Sequence, residues 1–318
     1  MSTPNSLELP PGTRRADVET ARGTFAVLEA VPAAEVAQLA PGGTTPPSPP
    51  GGVAELGTAL LVPGYTGSKE DFIAVLGRLA AAGRRVLAVD MRGQYQTPGP
   101  DDATAYHPAQ LGADIAALAA ATGAAHLLGH SFGGLVVREA ALHGAHQPSS
   151  LTLMCSGPGA LPGPRAEELR FMLSFLAGVA PRDLAAKIAE IWREVLEPQA
   201  IADGVPAPVL AFLRGRMLAN SPAGLAAMAR HLLTATDKTA ELAGLGVPTL
   251  VLYGADDNAW PPSQQAAMAE RLGVAPVPIQ GAAHSPALEA PASTARALTV
   301  FWNAAEGAPV TPGPSQLR

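Results

Sequence analysis

Residues 125–142 read AHLLGHSFGGLVVREAAL, and they decide the fold. The first five, 125–129, form a short apolar run of the kind a buried strand makes. Residues 135–142 then carry apolar side chains at helical spacing up to Gly144. Between the two stands Gly129-His130-Ser131-Phe132-Gly133, which fits the pattern G-x-S-x-G. Alone, that pattern also reads as a glycine-rich turn in a chain with 33 glycines. Its setting argues for more, because strand, sharp turn and helix follow one another directly. Gly129 and Gly133 remove the side chains that would collide across such a turn, and Ser131 is lifted to the end of the strand. The free amides and dipole of the helix N-terminus favour negative charge developing there.

Further runs of the same kind occur at 58–62, 85–89, 151–154 and 249–253, separated by longer helical patterns. This alternation predicts an α/β fold: a mostly parallel sheet with helices on both faces. Residues 68–82 place Phe72, Val75, Leu76 and Leu79 on one face, with Ser68 and Asp71 in capping-box spacing and Gly83 as the stop. Leu111, Ile115 and Leu118 mark another helix before Gly123, and 14–30 reads as an antiparallel edge hairpin turning near Arg22-Gly23. Residues 41–52, PGGTTPPSPPGG, form a connecting loop. Between 159 and 245 there are only helical patterns, with Leu169, Met172, Leu173 and Leu176 on one stripe and Ile188, Ile191, Trp192 and Val195 on another. Pro181, Pro198, Pro206, Pro208 and Pro222 punctuate them. The stripes read first as helix-on-helix core, and the whole segment as an inserted helical cap over the carboxyl edge of the sheet, where ligands bind in open α/β folds. The expected division is 1–40 edge strands, 41–52 loop, 53–158 and 246–305 α/β core, 159–245 cap, and 306–318 tail.

Composition bounds the function. The chain has 318 residues, 47% of them hydrophobic, and lacks the uninterrupted apolar run of roughly 18 residues that a membrane span needs. The first residues show no basic start followed by an apolar core, so a soluble, cytoplasmic protein is expected. Cys155 is the single cysteine, which excludes an intrachain disulfide and any multi-cysteine metal site. A net charge of −6 gives no electrostatic reason to expect nucleic acid or an anionic membrane as partner. A small-molecule substrate remains.

A serine hydroxyl is a poor nucleophile until a base takes its proton, so a histidine should follow later at a strand end. Seven histidines compete. His126 and His130 are directed elsewhere by strand geometry, His143 and His146 lie at or beyond the far end of the next helix, and His107 and His231 fall in loop and cap. His284 stands in the terminal turn Gly281-Ala282-Ala283-His284, after a last strand at 275–279 and before a final helix at 292–304. The acid should end the preceding strand, where Asp256 and Asp257 are adjacent and either could be a turn-capping aspartate.

With these motifs in order, the chain resembles the α/β-hydrolase superfamily over roughly 57–304. GHSFGG at 129–134, GADDNAWPP at 254–262 and GAAHSPALEAP at 281–291 are similar to the nucleophile, acid and histidine motifs of capped members. The resemblance implies Asp257 as the acid, standing three residues after Gly254 and four before Pro261. It implies an oxyanion hole as well, formed by the backbone amides of Tyr65 and Phe132, each donor typically worth about 2.7 to 4 kcal/mol in the transition state. Pro63 replaces the family's usual histidine but leaves the Tyr65 amide intact. Asp90, in Asp90-Met91-Arg92-Gly93, matches a structural turn of the family and stays outside the site. Serine at position 131 departs from the aspartate nucleophile of epoxide hydrolases and haloalkane dehalogenases.

The expected chemistry is hydrolysis of a carboxylic ester or thioester, most naturally of an apolar acyl compound, without cofactor or metal. Ser131 would be the nucleophile, His284 the base and Asp257 its orienting acid. Cleavage of carbon–carbon bonds, lactones or peptides and peracid formation use similar triads. A non-catalytic binding protein on the same fold would be marked by loss of a triad member, and none is lost here.

Overall fold

The computed structural model describes residues 2–32, 56–145 and 147–307; the expected loop at 41–52 and most of the expected tail lie outside them. The strands are β1 (Thr13–Thr20), β2 (Gly23–Ala30), β3 (Thr58–Val62), β4 (Val86–Val89), β5 (Ala124–His130), β6 (Ser150–Met154), β7 (Thr249–Gly254) and β8 (Val277–Ile279). They form one sheet in the order β1-β2-β4-β3-β5-β6-β7-β8. β1 pairs antiparallel with β2, and β2 with β4; every other pair is parallel. The central strands are buried on both faces, which is why they read as continuous apolar runs. β1 at the edge alternates instead: Ala16 and Val18 pack on the core while Arg15, Asp17 and Glu19 stay exposed.

The helices are α1 (Ile73–Ala81), α2 (Pro108–Thr122), α3 (Phe132–His143), α4 (Gly163–Leu176), α5 (Leu184–Ile191), α6 (Glu197–Ala202), α7 (Ala207–Ala219), α8 (Pro222–Thr234), α9 (Thr239–Gly244), α10 (Pro262–Arg271), α11 (Pro286–Glu289) and α12 (Pro291–Ala305). α1 packs with α11 and α12, while α3 packs with α2 and α9 across the sheet. The helix expected over 68–82 begins as a tight turn, Lys69–Phe72, before α1 proper. The capping spacing holds there, the Ser68 N–H donating to Asp71 Oδ2 at 3.4 Å. β8 begins two residues later than expected. Neither Pro276 nor Pro278 has an N–H for a ladder, and such residues are tolerated only because this strand is an edge.

The regular elements between β6 and β7 are all helices, joined by short turns and loops. Ile188, Trp192, Val209, Leu213, Met217 and Leu225 make a small core of their own there. Two details depart from expectation. Residues Trp192–Leu196 wind as a wider π turn ahead of Pro198, which has no N–H to continue an ordinary ladder, and Val195 is left exposed. On α4, Leu169 packs into the main core as expected while also lining a cavity, whereas Met172 lines the cavity and joins neither core. Among the described residues no helix is long and apolar enough to cross a membrane.

The order of the strands positions the site. The chain leaves β3 toward β4 on one side, then crosses back to β5 on the other, so the loops after β3 and β5 diverge at the carboxyl edge and leave a crevice.

Candidate active site

Ser131 connects β5 to α3 with φ 56° and ψ −120°, a conformation L residues seldom adopt. The surrounding backbone allows it only because the neighbours lack side chains. A Cβ on Gly129 would meet the Gly133 carbonyl oxygen, and one on Gly133 would come within 2.5 Å of the carbonyl oxygens of Val62 and Pro63. The turn after β3 is thereby pressed against the serine.

His284 approaches from the turn after β8. Its Nε2 lies 3.0 Å from Ser131 Oγ, and its Nδ1 lies 2.9 Å from Asp257 Oδ1. With the carboxylate accepting, Nδ1 carries the proton and Nε2 is free to accept from the serine hydroxyl. Asp257 follows β7 and is buried. Burial alone would raise its pKa, but bonds from His284, the Ala259 N–H and Gln265 together hold the carboxyl below the usual range. The Ala259 N–H donates to Oδ1 at 2.9 Å, and Gln265 Nε2 on α10 donates to Oδ2 at 2.7 Å. Asp256, by contrast, is exposed, and its backbone N–H rather than its carboxylate ties the turn to Ala282 O. The structure therefore brings Ser131, His284 and Asp257 together and leaves Asp256 aside.

Phe132 is the first residue of α3, where backbone N–H groups have no intrahelical acceptor. Tyr65 follows β3 in the turn against Ser131, its ring packed between the main core and the smaller helical one. The carbonyl of Gly64 accepts from buried Gln94 Nε2 at 2.9 Å and from the Gly67 N–H at 3.1 Å. A trans peptide then turns the Tyr65 N–H the opposite way. Asp90 is engaged elsewhere, pairing through Oδ2 with Lys69 Nζ at 2.5 Å in a buried cluster.

One sequence expectation fails. His130 is not directed away: its Nε2 donates to the backbone carbonyl of His284 at 2.6 Å, and the two rings lie 5.0 Å apart. His130 is still paired within β5, opposite Met154, but the turn carrying His284 passes over this end of the strand and brings its backbone carbonyl to the His130 ring. Burial and then the neighbouring His284 push the His130 pKa down to about 3, leaving its imidazole neutral. Gln94 and Gln265 also escaped notice, because an amide in a polar loop or on a helix carries no sequence pattern. Only their contacts reveal them.

Above the serine lies a cavity of about 350 Å³, reached by Leu161, Leu169, Met172, Leu196, Met217 and Leu232 from the helical segment and by Ser131 and His284 from below. For a metal, His130, Cys155 and His284 place ligand-type atoms within 4.8 Å of one another. Both His284 nitrogens and His130 Nε2 are, however, already committed to the bonds above.

In comparison with known proteins, residues 59–297 match the model of the alpha/beta hydrolase family. A protein of Variovorax paradoxus (strain S110) with the provisional name carbamate hydrolase RutD is 33% identical over 221 residues, covering 65% of this chain and 76% of that protein. A thermophilic esterase from Thermogutta terrifontis superposes with a TM-score of 0.66 at 22% identity, covering 92% of this chain and 99% of that one. A hydrolase from Pseudomonas aeruginosa PA01 gives a TM-score of 0.61 at 24% identity, with 93% and 99% covered. At these identities the two structures speak to the fold.

Proposed function

The chain belongs to the alpha/beta hydrolase family, and from that premise we propose that it is a serine hydrolase cleaving a carboxylic ester or thioester through an acyl-enzyme. The observation that carries this reading is the hydrogen-bonded line Asp257–His284–Ser131, at 2.9 and 3.0 Å, on the floor of a cavity that leucine and methionine side chains line together with Arg165 and Glu168 at the carboxyl edge of the sheet.

His284 Nε2 takes the hydroxyl proton as Ser131 Oγ bonds to the substrate carbonyl carbon. Asp257 keeps the imidazole in the tautomer that can do so and stabilises the imidazolium that results. The carbonyl oxygen becomes an oxyanion facing the amides of Tyr65 and Phe132. Collapse of the tetrahedral intermediate breaks the bond to the alkoxide or thiolate, which leaves with the proton from His284. Water then repeats the sequence on the acyl-serine: His284 accepts its proton, the acyl–Oγ bond breaks, and Ser131 recovers a proton as the acid departs. In this reading the helical segment acts as the cap. Its leucine and methionine side chains suit an apolar acyl group and hold water back from the reacting centre. The buried, unpaired Cys155 accords with a cytoplasmic setting.

A second reading, a carbamate carbonyl as the scissile group, is favoured by the named relative at 33% identity. The test is labelling with a fluorophosphonate followed by matched aryl ester and aryl carbamate substrates. Covalent labelling at Ser131 with turnover of esters is expected. An intact mass unchanged after long incubation would defeat the hydrolase reading, and turnover confined to carbamates would favour the second.

A further inference from the structure

Resting on the hydrolase reading, we propose that Glu289 and His130 are positioning residues that fix the backbone carrying the His284 ring. The reason begins with what the turn after β8 lacks. Residues 281–285 belong to no strand or helix, so their peptide groups must find other partners. Glu289, at the end of α11, reaches back with both carboxylate oxygens. Oε2 accepts from the Ala283 N–H at 2.5 Å, and Oε1 accepts from the Ser285 N–H at 3.3 Å. The two amides flanking His284 are thus held by one carboxylate, with the added strength of a charged acceptor. From the opposite side His130 Nε2 donates to the carbonyl of His284 itself at 2.6 Å. Three successive residues are gripped by two side chains whose hydrogen bonds go to this backbone and to neither Ser131 Oγ nor Asp257.

The platform under Glu289 is firm. Leu288 and Glu289 donate their own N–H groups to Ser285 O, closing α11 onto the turn, and Thr294 Oγ1 of α12 donates to Pro286 O at 2.8 Å. His130 is equally fixed, being the last residue of β5, joined directly to Ser131. One side chain therefore ties the base to the strand that presents the nucleophile, and the other ties it to the C-terminal helices. The distance from His284 Nε2 to Ser131 Oγ is set from both ends.

Such a grip matters more for rate than for folding. Glu289 is exposed, so its two bonds contribute modestly to stability, whereas a displacement of the base by about 1 Å is enough to cost on the order of 10²-fold in turnover. The expected signature is loss of kcat with little change in thermal midpoint.

The experiment measures kcat, KM and Tm on a short-chain aryl ester for the full chain carrying Glu289→Ala, His130→Leu or His130→Gln, and for Glu289→Ala combined with His284→Ala. Glu289→Ala and His130→Leu are expected to lower kcat about 10²-fold with KM within a few-fold of the unaltered enzyme. Glutamine keeps an N–H near the position of Nε2, so His130→Gln should recover most of the lost rate. Because the grip acts through His284, Glu289→Ala should cost nothing further once His284 is gone. Unchanged kcat in Glu289→Ala, a loss that falls on KM instead, additivity with His284→Ala, or a rate loss that merely follows a fall in Tm would each overturn the proposal. Should His130→Leu fail to fold, Glu289→Ala and His130→Gln still decide it. Fluorophosphonate labelling of the unaltered chain separates this from the broader reading: no label defeats both, whereas normal label with unaffected variants defeats the grip alone.

Discussion

At the scale of single residues, the adjacent pair Asp256 and Asp257 stand in opposite surroundings, and the proposed chemistry needs only one of them. Asp257 is buried and accepts from His284, Ala259 and Gln265, while Asp256 is exposed. Asp257→Asn offers Nδ1 a different partner and favours the wrong tautomer; comparable changes in such triads cost about 10⁴-fold in turnover. Asp256→Asn should leave turnover nearly intact and stability within about 0.5 kcal/mol. Steady-state kinetics and denaturant midpoints on both variants check this, and an active Asp257→Asn enzyme beside a folded but dead Asp256→Asn one would reverse the assignment. Gln94 makes a second case. Its Nε2 holds the Gly64 carbonyl and its Oε1 accepts from the Met91 N–H at 3.2 Å. Gln94→Leu frees the peptide that presents the Tyr65 amide, and kcat should fall by up to about 10²-fold with KM little altered. Labelling by the phosphonate should slow in step. An unchanged labelling rate would show that the Gly64–Tyr65 peptide is held some other way.

At the scale of elements, Arg216 on α7 joins the helical segment to the sheet domain. Its guanidinium is fully buried, donating to Asp71 Oδ1 at 2.7 Å and to Ser2 O at 2.6 Å and lying over the ring of Phe212. Removing one partner of a buried pair strands the other, so Arg216→Met is expected to cost about 3–5 kcal/mol. Adding Asp71→Leu should restore much of that, and urea midpoints of the single and double variants would show it. An equal loss in both would mean that packing against Phe212 matters more than the charge. Elements differ, too, in how far sequence betrays them. β3, β5, β6 and β7 were legible to within a residue or so because strands buried on both faces must be unbroken apolar runs. That Ser131, Asp257 and His284 would meet was legible because each sits where a strand ends in a turn of restricted composition. The helical segment was legible as helices and in most of its facing, with Leu169, Ile188, Ile191 and Trp192 buried, but Val195 was displaced by the wide turn ahead of Pro198 and Met172 faces a cavity. Glu289 and His130 went unrecognised for a related reason. Their partners are peptide groups, and peptide groups are the same at every position in a sequence.

At the scale of the whole molecule, the two edges of the sheet are put to different use, and the amino edge is locked by one carboxylate. Glu306, just beyond α12, accepts through Oε1 from the Gly57 N–H at 2.7 Å and His126 Nε2 at 2.6 Å, and both of its oxygens pair with Arg84, at 2.8 and 2.9 Å. His126 in turn bonds Ser150 Oγ at 2.8 Å and stacks on Trp302. The starts of β3, β4, β5 and β6 are thus gathered against the last helix, at the opposite edge from Ser131. Burial would raise the Glu306 pKa, but Arg84, His126 and the Gly57 amide outweigh it and hold the carboxyl down to about 2. A carboxyl whose pKa is depressed on folding stabilises the native state above its ordinary value of about 4.5 and loses that contribution as pH falls through the folded value. His126 adds a loss that begins at higher pH: burial depresses its pKa below the ordinary 6.5, so the unfolded chain takes up that proton first. Stability should therefore fall from about pH 6.5 downward and more steeply below about 4.5. Glu306→Gln keeps the shape but removes the charge. It is expected to lose about 1–3 kcal/mol at pH 7 and to show a shallower slope between pH 4.5 and 2, so that the two stability curves converge in acid. Urea unfolding across that pH range measures both quantities. Parallel curves would mean that Glu306 is held by its shape alone, whereas convergence with intact phosphonate labelling at pH 7 would place the lock and the chemistry on separate edges of one sheet.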